Sequence, residues 1–168
     1  MSVTVEEMTV EAEQFLKEAY NLTLDIPIKR NNRLKATLGW FSFNKKHGAL
    51  DIEISGKFMD YGSRSDVIDC LRHELVHYAL YTLGKPYNDG DAYFEEELRK
   101  HGISSSGSGP YLFGPVVRYD CEACNKHAVG DNLSVLKRPQ RFRSKCCGAK
   151  LINVRKDTIY GDYKEELN

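Results

Sequence analysis

The chain has 168 residues, 41% of them hydrophobic and 29% charged, and its 24 basic and 24 acidic residues balance to a net charge of zero. This composition is typical of a globular protein with one modest core and room for a small appendage, and it argues against large-scale disorder. No apolar run approaches the roughly 20 residues of a membrane span, and the acidic N-terminus lacks the form of a secretory signal, so we expect a cytoplasmic protein without a membrane partner.

The N-terminal part of the chain predicts a helix followed by a small sheet. Apolar residues recur with a helical period over Val5–Tyr20, with acidic residues on the other face. Three short stretches rich in β-branched and aromatic residues then predict strands at 26–30, 36–43 and 49–54. Gly48 fits a hairpin turn between the last two strands. We expect these strands to form a three-stranded antiparallel sheet.

Residues 69–80 carry the pattern H-E-x-x-H inside an apolar, helix-periodic run. Residues four apart lie on the same face of a helix, so His73 and His77 can direct two imidazole nitrogens at one Zn²⁺. Glu74 lies one position further round, close enough to take a proton from a water at the metal. The pattern is typical of zinc metallopeptidases. The alternative is a surface helix with two histidines spaced by chance, but polar groups in such apolar surroundings need partners.

Capping signals limit this helix and the next. Ser63 can cap the start of the motif helix, which is expected to stop at Gly84. A turn then leads to a further helix at 92–101. The domain organisation that follows is an α+β domain at 1–103, a Ser- and Gly-rich linker at 104–115, a basic segment at 116–156 and a charged tail at 157–168.

A catalytic zinc usually takes three protein ligands, so a third ligand is needed. The metzincin continuation is excluded, because Leu80 and Leu83 stand where it requires Gly and His. Residues 95–97 on the next helix are three consecutive glutamates and could supply the third ligand, but three acidic residues in a row more often form a solvated face. The turn before the second helix leaves Asp91 or Asp89 as the third ligand, although either could equally be a turn or helix-cap residue.

The C-terminal segment has the cysteine spacing of a zinc ribbon, which predicts a β hairpin with a second, structural zinc site. The fourth ligand could be a cysteine of the adjacent pair or His127. The alternative is a ribbon fold that has lost its metal and relies on apolar packing. The candidate ligands are Cys121, Cys124, Cys146 and Cys147.

Basic residues dominate this segment, with ten Lys or Arg against three acidic residues from 116 to 156. Together with Phe142 they could hold the phosphate backbone of DNA or RNA by charge and stacking. The alternative is a solvated basic face.

The sequence resembles the SprT-like family of zinc metallopeptidases, in particular its short bacterial cytosolic members, and is more distantly similar to the Spartan proteases that digest DNA–protein crosslinks. The resemblance runs over nearly the whole chain and is carried by residues 71–78, 84–87, 91–94 and 148–151. It implies a small zincin-like domain in which His73 and His77 bind zinc and Glu74 is the catalytic residue.

The resemblance also implies polypeptide substrates, including proteins associated with nucleic acid. The alternative function is a nucleic-acid-binding ribbon protein whose H-E-x-x-H site is structural.

Two departures from the family pattern bear on the metal sites. Asp89 stands where family members commonly place a His, and Ser144 stands where a complete ribbon has its third cysteine.

Overall fold

The computed structural model of the chain describes residues 2–35, 37–105 and 112–161. It divides into two compact units, Met1–Gly109 and Pro110–Asn168. Each unit contains a three-stranded sheet together with helices, so the α+β class predicted from the sequence is confirmed. Residues 106–111, which make up much of the predicted linker, lie outside the described residues.

Helix α1 (Val5–Tyr20) begins and ends at strong local signals. The Thr4 side chain accepts a hydrogen bond from the Glu7 N–H, and the Glu7 carboxylate accepts one from the Thr4 N–H. At the other end Asn21 adopts a left-handed conformation with φ 53°. The helix buries the apolar face that the sequence period predicts, namely Met8, Ala12, Phe15 and Leu16.

The sheet of the first unit consists of β1 (Ile28–Asn31), β2 (Gly39–Asn44) and β3 (Gly48–Ser55), in the order β1-β3-β2. Strands β2 and β3 form the predicted hairpin, in which Gly48 has φ 78°. The strand order places β2 at an edge of this sheet. Ala36, the first residue of the predicted second strand, lies outside the described residues.

The prediction of an all-antiparallel sheet was wrong for β1, which pairs with β3 in parallel. The reason lies in the connection between β1 and β2. The last residue of β1, Asn31, is level with Ser55, and the first residue of β2, Gly39, is level with Ile54. The connecting loop therefore crosses only the end of β3 and places the two strands on opposite sides of it.

Helix α3 (Arg64–Thr82) is the central element of the first unit, where it packs against α1, β2, β3 and α4 (Ala92–Lys100). Its start is capped by Ser63, and the chain leaves it at Leu83 and Gly84, as the sequence predicts. A short helix α2 (Gly56–Tyr61) precedes it. Across the described residues, no helix has the length and apolar character needed to cross a membrane.

The second unit is an antiparallel sheet of β4 (Gly114–Cys121), β5 (His127–Gly130) and β6 (Leu151–Ile159), in the order β5-β4-β6. It carries a short helix α5 (Ser134–Lys137) and a 3-10 turn (Pro139–Arg141). The predicted hairpin is thus a three-stranded sheet.

The outer strand ends of this sheet lie beyond the basic segment predicted at 116–156. Strand β4 begins inside the predicted linker, and β6 continues into the predicted tail. The cause is the β4–β6 ladder, which pairs Gly114 with Ile159 and Pro115 with Thr158 and so keeps both strand ends ordered.

Candidate metal centre

Helix α3 places the three motif side chains of the first unit side by side. His73 and His77 lie one helical turn apart, and their imidazole rings have centroids 5.0 Å apart. Glu74 and His77 are buried, and His73 is half-buried. The apolar residues around them are buried too, because α3 contacts other elements over most of its circumference.

Backbone carbonyls fix the orientation of both imidazoles. His73 Nδ1 donates to the carbonyl of Ser104 at 3.1 Å, and His77 Nδ1 donates to the carbonyl of Tyr87. Because a carbonyl can only accept, each ring carries its proton on Nδ1 and directs the lone pair of Nε2 towards the other ring. Burial also lowers the pKa of His77, which favours its neutral form.

Asp89 completes the group. Its Oδ1 lies 3.2 Å from His73 Nε2 and 3.3 Å from His77 Nε2. The other candidate third ligand, Asp91, instead accepts hydrogen bonds from the backbone and side chain of Asn88 at 2.9 and 3.2 Å. The structure therefore brings Asp89, and not Asp91, to the two histidines. In the part of the first unit that is described, this trio is the group able to hold a metal ion.

The spacing of the three atoms fits a tetrahedral zinc. The distance between the two Nε2 atoms is 3.2 Å, close to their distances from Asp89 Oδ1. Ligands about 2.0–2.1 Å from zinc at tetrahedral angles lie about 3.3 Å apart. Three acceptor atoms this close repel one another unless a cation or a proton lies between them. The residues present therefore fit a divalent ion with two nitrogen ligands and one oxygen ligand.

Glu74 lies beside this group in a low-dielectric environment. Its side chain is almost fully buried, and burial raises its pKa to about 7. His73 and a hydrogen bond from the Phe41 backbone N–H act in the opposite direction, while Asp89 adds to the increase. A cation held by the histidines would act against this increase and bring the pKa back towards that of an ordinary carboxylate.

Phe94 of α4 packs against the two imidazoles. Its ring stacks on that of His77 with centroids 4.1 Å apart and meets His73 edge-on at 5.3 Å. Phe94 is fully buried, so it cannot move away without opening the core. Phe94 of α4 therefore contacts both rings, while the carbonyls of Tyr87 and Ser104 hold their Nδ1 atoms.

The cysteines of the second unit form a separate group. Two similar turns carry them, one at 121–125 and one at 144–148. In the first, Asn125 N–H donates to Cys121 at 2.8 Å and Asn125 has φ 56°; in the second, Gly148 N–H donates to Ser144 at 2.9 Å and Gly148 has φ 65°. Ser144 thus occupies the position equivalent to Cys121.

The sulfur atoms of the two turns converge although Ser144 is not a cysteine. Cys146 supplies the fourth sulfur, and its Sγ lies 3.6 Å from that of Cys124. The four sulfurs all lie within 4.8 Å of one another. Thiolates about 2.3 Å from zinc at tetrahedral angles lie about 3.8 Å apart, so the four cysteines fit a closed zinc site.

Ser144 tunes one of these thiols. Its hydroxyl lies 3.2 Å from Cys121 Sγ, and this contact, with the N–H groups of Cys124 and Ala123, lowers the pKa of Cys121 to about 6. His127, the other candidate fourth ligand, pairs instead with Asp120.

Comparison with known proteins agrees with the geometry. A model of the SprT-like family matches residues 5–101, which is more than half of the chain. The chain belongs to the SprT-like family. The resemblance predicted from the sequence is therefore confirmed.

Several curated proteins named "Protein SprT-like" are similar to the chain. The one from Bacillus velezensis is 27% identical over 133 residues, which cover 74% of this chain and 80% of that protein. The one from Streptococcus gordonii is 33% identical over 123 residues, covering 72% and 78%. Among solved structures, the metallopeptidase zymogen jannalysin of Methanocaldococcus jannaschii matches with 20% identity and a TM-score of 0.38, covering 59% of this chain and 82% of that chain.

The region matched by the SprT-like family contains the whole His73–His77–Asp89 group together with Glu74, whereas the four cysteines lie beyond it. Sequence reasoning did not identify the carbonyls of Tyr87 and Ser104, because backbone atoms leave no residue-type signal. The family resemblance includes Phe94 in residues 91–94, but the sequence does not signal its contact with the imidazoles.

Proposed function

We propose that the chain is a zinc-dependent metallopeptidase that hydrolyses peptide bonds in polypeptides. His73, His77 and Asp89 hold the ion in this proposal, and Glu74 is the general base. The observation that supports it best is the convergence of three acceptor atoms, with no donor between them, beside a buried carboxylate.

The chemistry that a bound zinc supplies is Lewis acidity towards a carbonyl oxygen and towards water. Glu74 accepts one proton from the attacking water while the water oxygen bonds to the scissile carbonyl carbon. As the carbon–nitrogen bond breaks, Glu74 returns the proton to the leaving nitrogen. The buried position of its carboxylate suits both steps, because weak solvation leaves it a better base than an exposed glutamate.

The surroundings of the centre favour a polypeptide substrate. The Asp89 side chain is 75% exposed, whereas the two imidazoles are nearly covered, so a substrate can approach from the Asp89 side. The rings of Phe43, Tyr81 and Tyr87 form a partly exposed cluster with centroids 5.2–5.5 Å apart. Tyr87 links this cluster to the centre, because its carbonyl contacts His77. The aromatic cluster suits the apolar side chains of an unfolded segment.

We also propose that some substrates are proteins bound to nucleic acid, recruited by the second unit. A cavity of about 500 Å³ there is lined by Tyr119 and Phe142 together with Lys126 and Lys145. Aromatic rings beside cationic side chains suit stacked bases and phosphates. The basic excess of this segment points the same way.

An activity screen tests the proposed function. The zinc-loaded protein is incubated with casein, with an unfolded DNA-bound protein and with small acyl substrates. We expect cleavage of the polypeptides, loss of cleavage on chelation and its return with added zinc. Salt-dependent DNA binding together with no turnover of any polypeptide would favour the alternative, a binding protein whose histidine centre is structural.

A second, structural zinc on the four cysteines completes the proposal. It predicts that the purified chain holds two ions, one for each group, and that Cys146→Ser holds one. Adding Ser144→Cys to that variant should restore the second ion, because Ser144 Oγ already lies 3.2 Å from Cys121 Sγ. Zinc per chain is measured by elemental analysis. An unchanged zinc content in Cys146→Ser would show that Cys146 is not a ligand.

A further inference from the structure

Strand β2 approaches α3 most closely at Gly39. A Cβ atom placed on Gly39 would lie 2.8 Å from Cys70 Sγ and 2.9 Å from Glu74 Oε1. Real Cβ atoms essentially never come within 3.0 Å of another heavy atom. Any other residue at this position must therefore displace the Glu74 side chain, the Cys70 side chain or the strand itself.

Lack of room for a side chain, and not an unusual backbone conformation, explains why position 39 is a glycine. Gly48 and Gly84 have φ values of 78° and 64°, which favour glycine, and a Cβ on either would have no neighbour within 4 Å. Gly39 lies in regular strand backbone paired with Ile54, outside the left-handed region. What it provides is the close approach of a strand to a side chain.

The close approach brings a donor to Glu74. Two residues along β2, the backbone of Phe41 faces the Glu74 carboxylate closely enough for its N–H to lower the pKa of that group. The Phe41 ring is buried and packs against Tyr78 and Tyr81 with centroids 6.1 and 5.7 Å apart, which anchors this part of β2 to α3. One face of the carboxylate is thus held by an anchored strand, which restricts its rotamers.

We propose that Gly39 is a positioning residue for Glu74, because its missing side chain lets β2 approach and hold the carboxylate at the metal centre. The inference rests on the proposed function, in which Glu74 transfers the proton. Gly39 itself touches neither substrate nor ion. It acts through Glu74, so its replacement should change turnover more than zinc binding or substrate affinity.

The test compares Gly39→Ala with Gly130→Ala. Gly130 is also a strand glycine, but a Cβ there would have no neighbour within 4 Å, so this variant should match the parent. In Gly39→Ala we expect kcat to fall about 100-fold, the effect of a misplacement of roughly 1 Å, with KM and zinc content unchanged. Retained kcat in Gly39→Ala would overturn the proposal.

A second measurement does not depend on activity. Amide hydrogen exchange of Phe41, followed by NMR in the zinc-loaded protein, should be faster in Gly39→Ala than in the parent and should resemble that in Glu74→Ala. Unchanged protection of Phe41 in Gly39→Ala would contradict the positioning role. If the parent cleaves no polypeptide, the proposed function fails, while this exchange measurement still decides whether Gly39 sets the Phe41–Glu74 contact.

The double variant Gly39→Ala/Cys70→Ala covers the case in which the single variant does not fold. It removes the sulfur contact but keeps the contact with Glu74, so kcat and Phe41 protection should stay low. Full recovery of both in the double variant would show that Gly39 serves packing against Cys70 and would overturn the proposal.

Discussion

Replacing Glu74 with Gln is expected to abolish peptide hydrolysis while zinc remains bound. The amide keeps the shape of the side chain but cannot accept the proton of the attacking water, a step that contributes about 10²–10⁴-fold to the rate. His73, His77 and Asp89 lose none of the contacts that bring them together. Turnover of casein and zinc per chain are the two quantities to measure.

Glu96→Gln is the matched control. Glu96 is an exposed residue of α4, and the change removes the same charge from the same unit. Its cleavage rate and zinc content should equal those of the parent. Cleavage that persists in Glu74→Gln with full zinc occupancy would show that another group transfers the proton.

The three longer helices of the first unit, α1, α3 and α4, were predictable because their signals are local, whereas the short helix α2 was not predicted. The period of apolar residues gives the buried face of α1, and Ser63 and Gly84 give the ends of α3. His73, Glu74 and His77 share that advantage, since one helical turn is enough to bring both imidazoles to the same face. Their roles at a metal centre remain a prediction that zinc analysis and the variants test.

Long-range geometry could not be predicted in the same way. Strand β1 lies beside β3 because the loop before Gly39 crosses the end of β3, and no residue in the loop signals that path. Gly39 likewise looks like an ordinary strand glycine in the sequence. Only the packing of β2 on α3 shows that a side chain there would meet Cys70 and Glu74.

Spacing in the sequence cannot decide which aspartate is the candidate third ligand. Asp89 and Asp91 are two residues apart in one turn, and either carboxylate is a suitable oxygen ligand. Hydrogen bonding separates them, because Asp91 accepts from Asn88 while Asp89 points at the two imidazoles. The fourth cysteine is a similar case, since the position of Cys146 follows from the fold of its turn.

Replacing His77 with Ala is expected to remove zinc from the first centre and leave the cysteine site loaded. The loss of a direct ligand should weaken binding by more than the about 10–100-fold that loss of an outer partner costs. The Tyr87 carbonyl also loses its donor. Competition with a chromophoric chelator measures the affinity, and elemental analysis measures the remaining ion.

The two aspartates and a remote histidine complete this comparison. Asp89→Asn should weaken zinc binding at the same centre, because a neutral amide oxygen is a poorer ligand, whereas Asp91→Asn should retain it. His47→Ala, at the exposed hairpin tip, should have no effect. If Asp91→Asn lost zinc and Asp89→Asn kept it, the turn would have to rearrange on metal binding. Unchanged zinc affinity at this centre in His77→Ala would show that His77 is not a ligand.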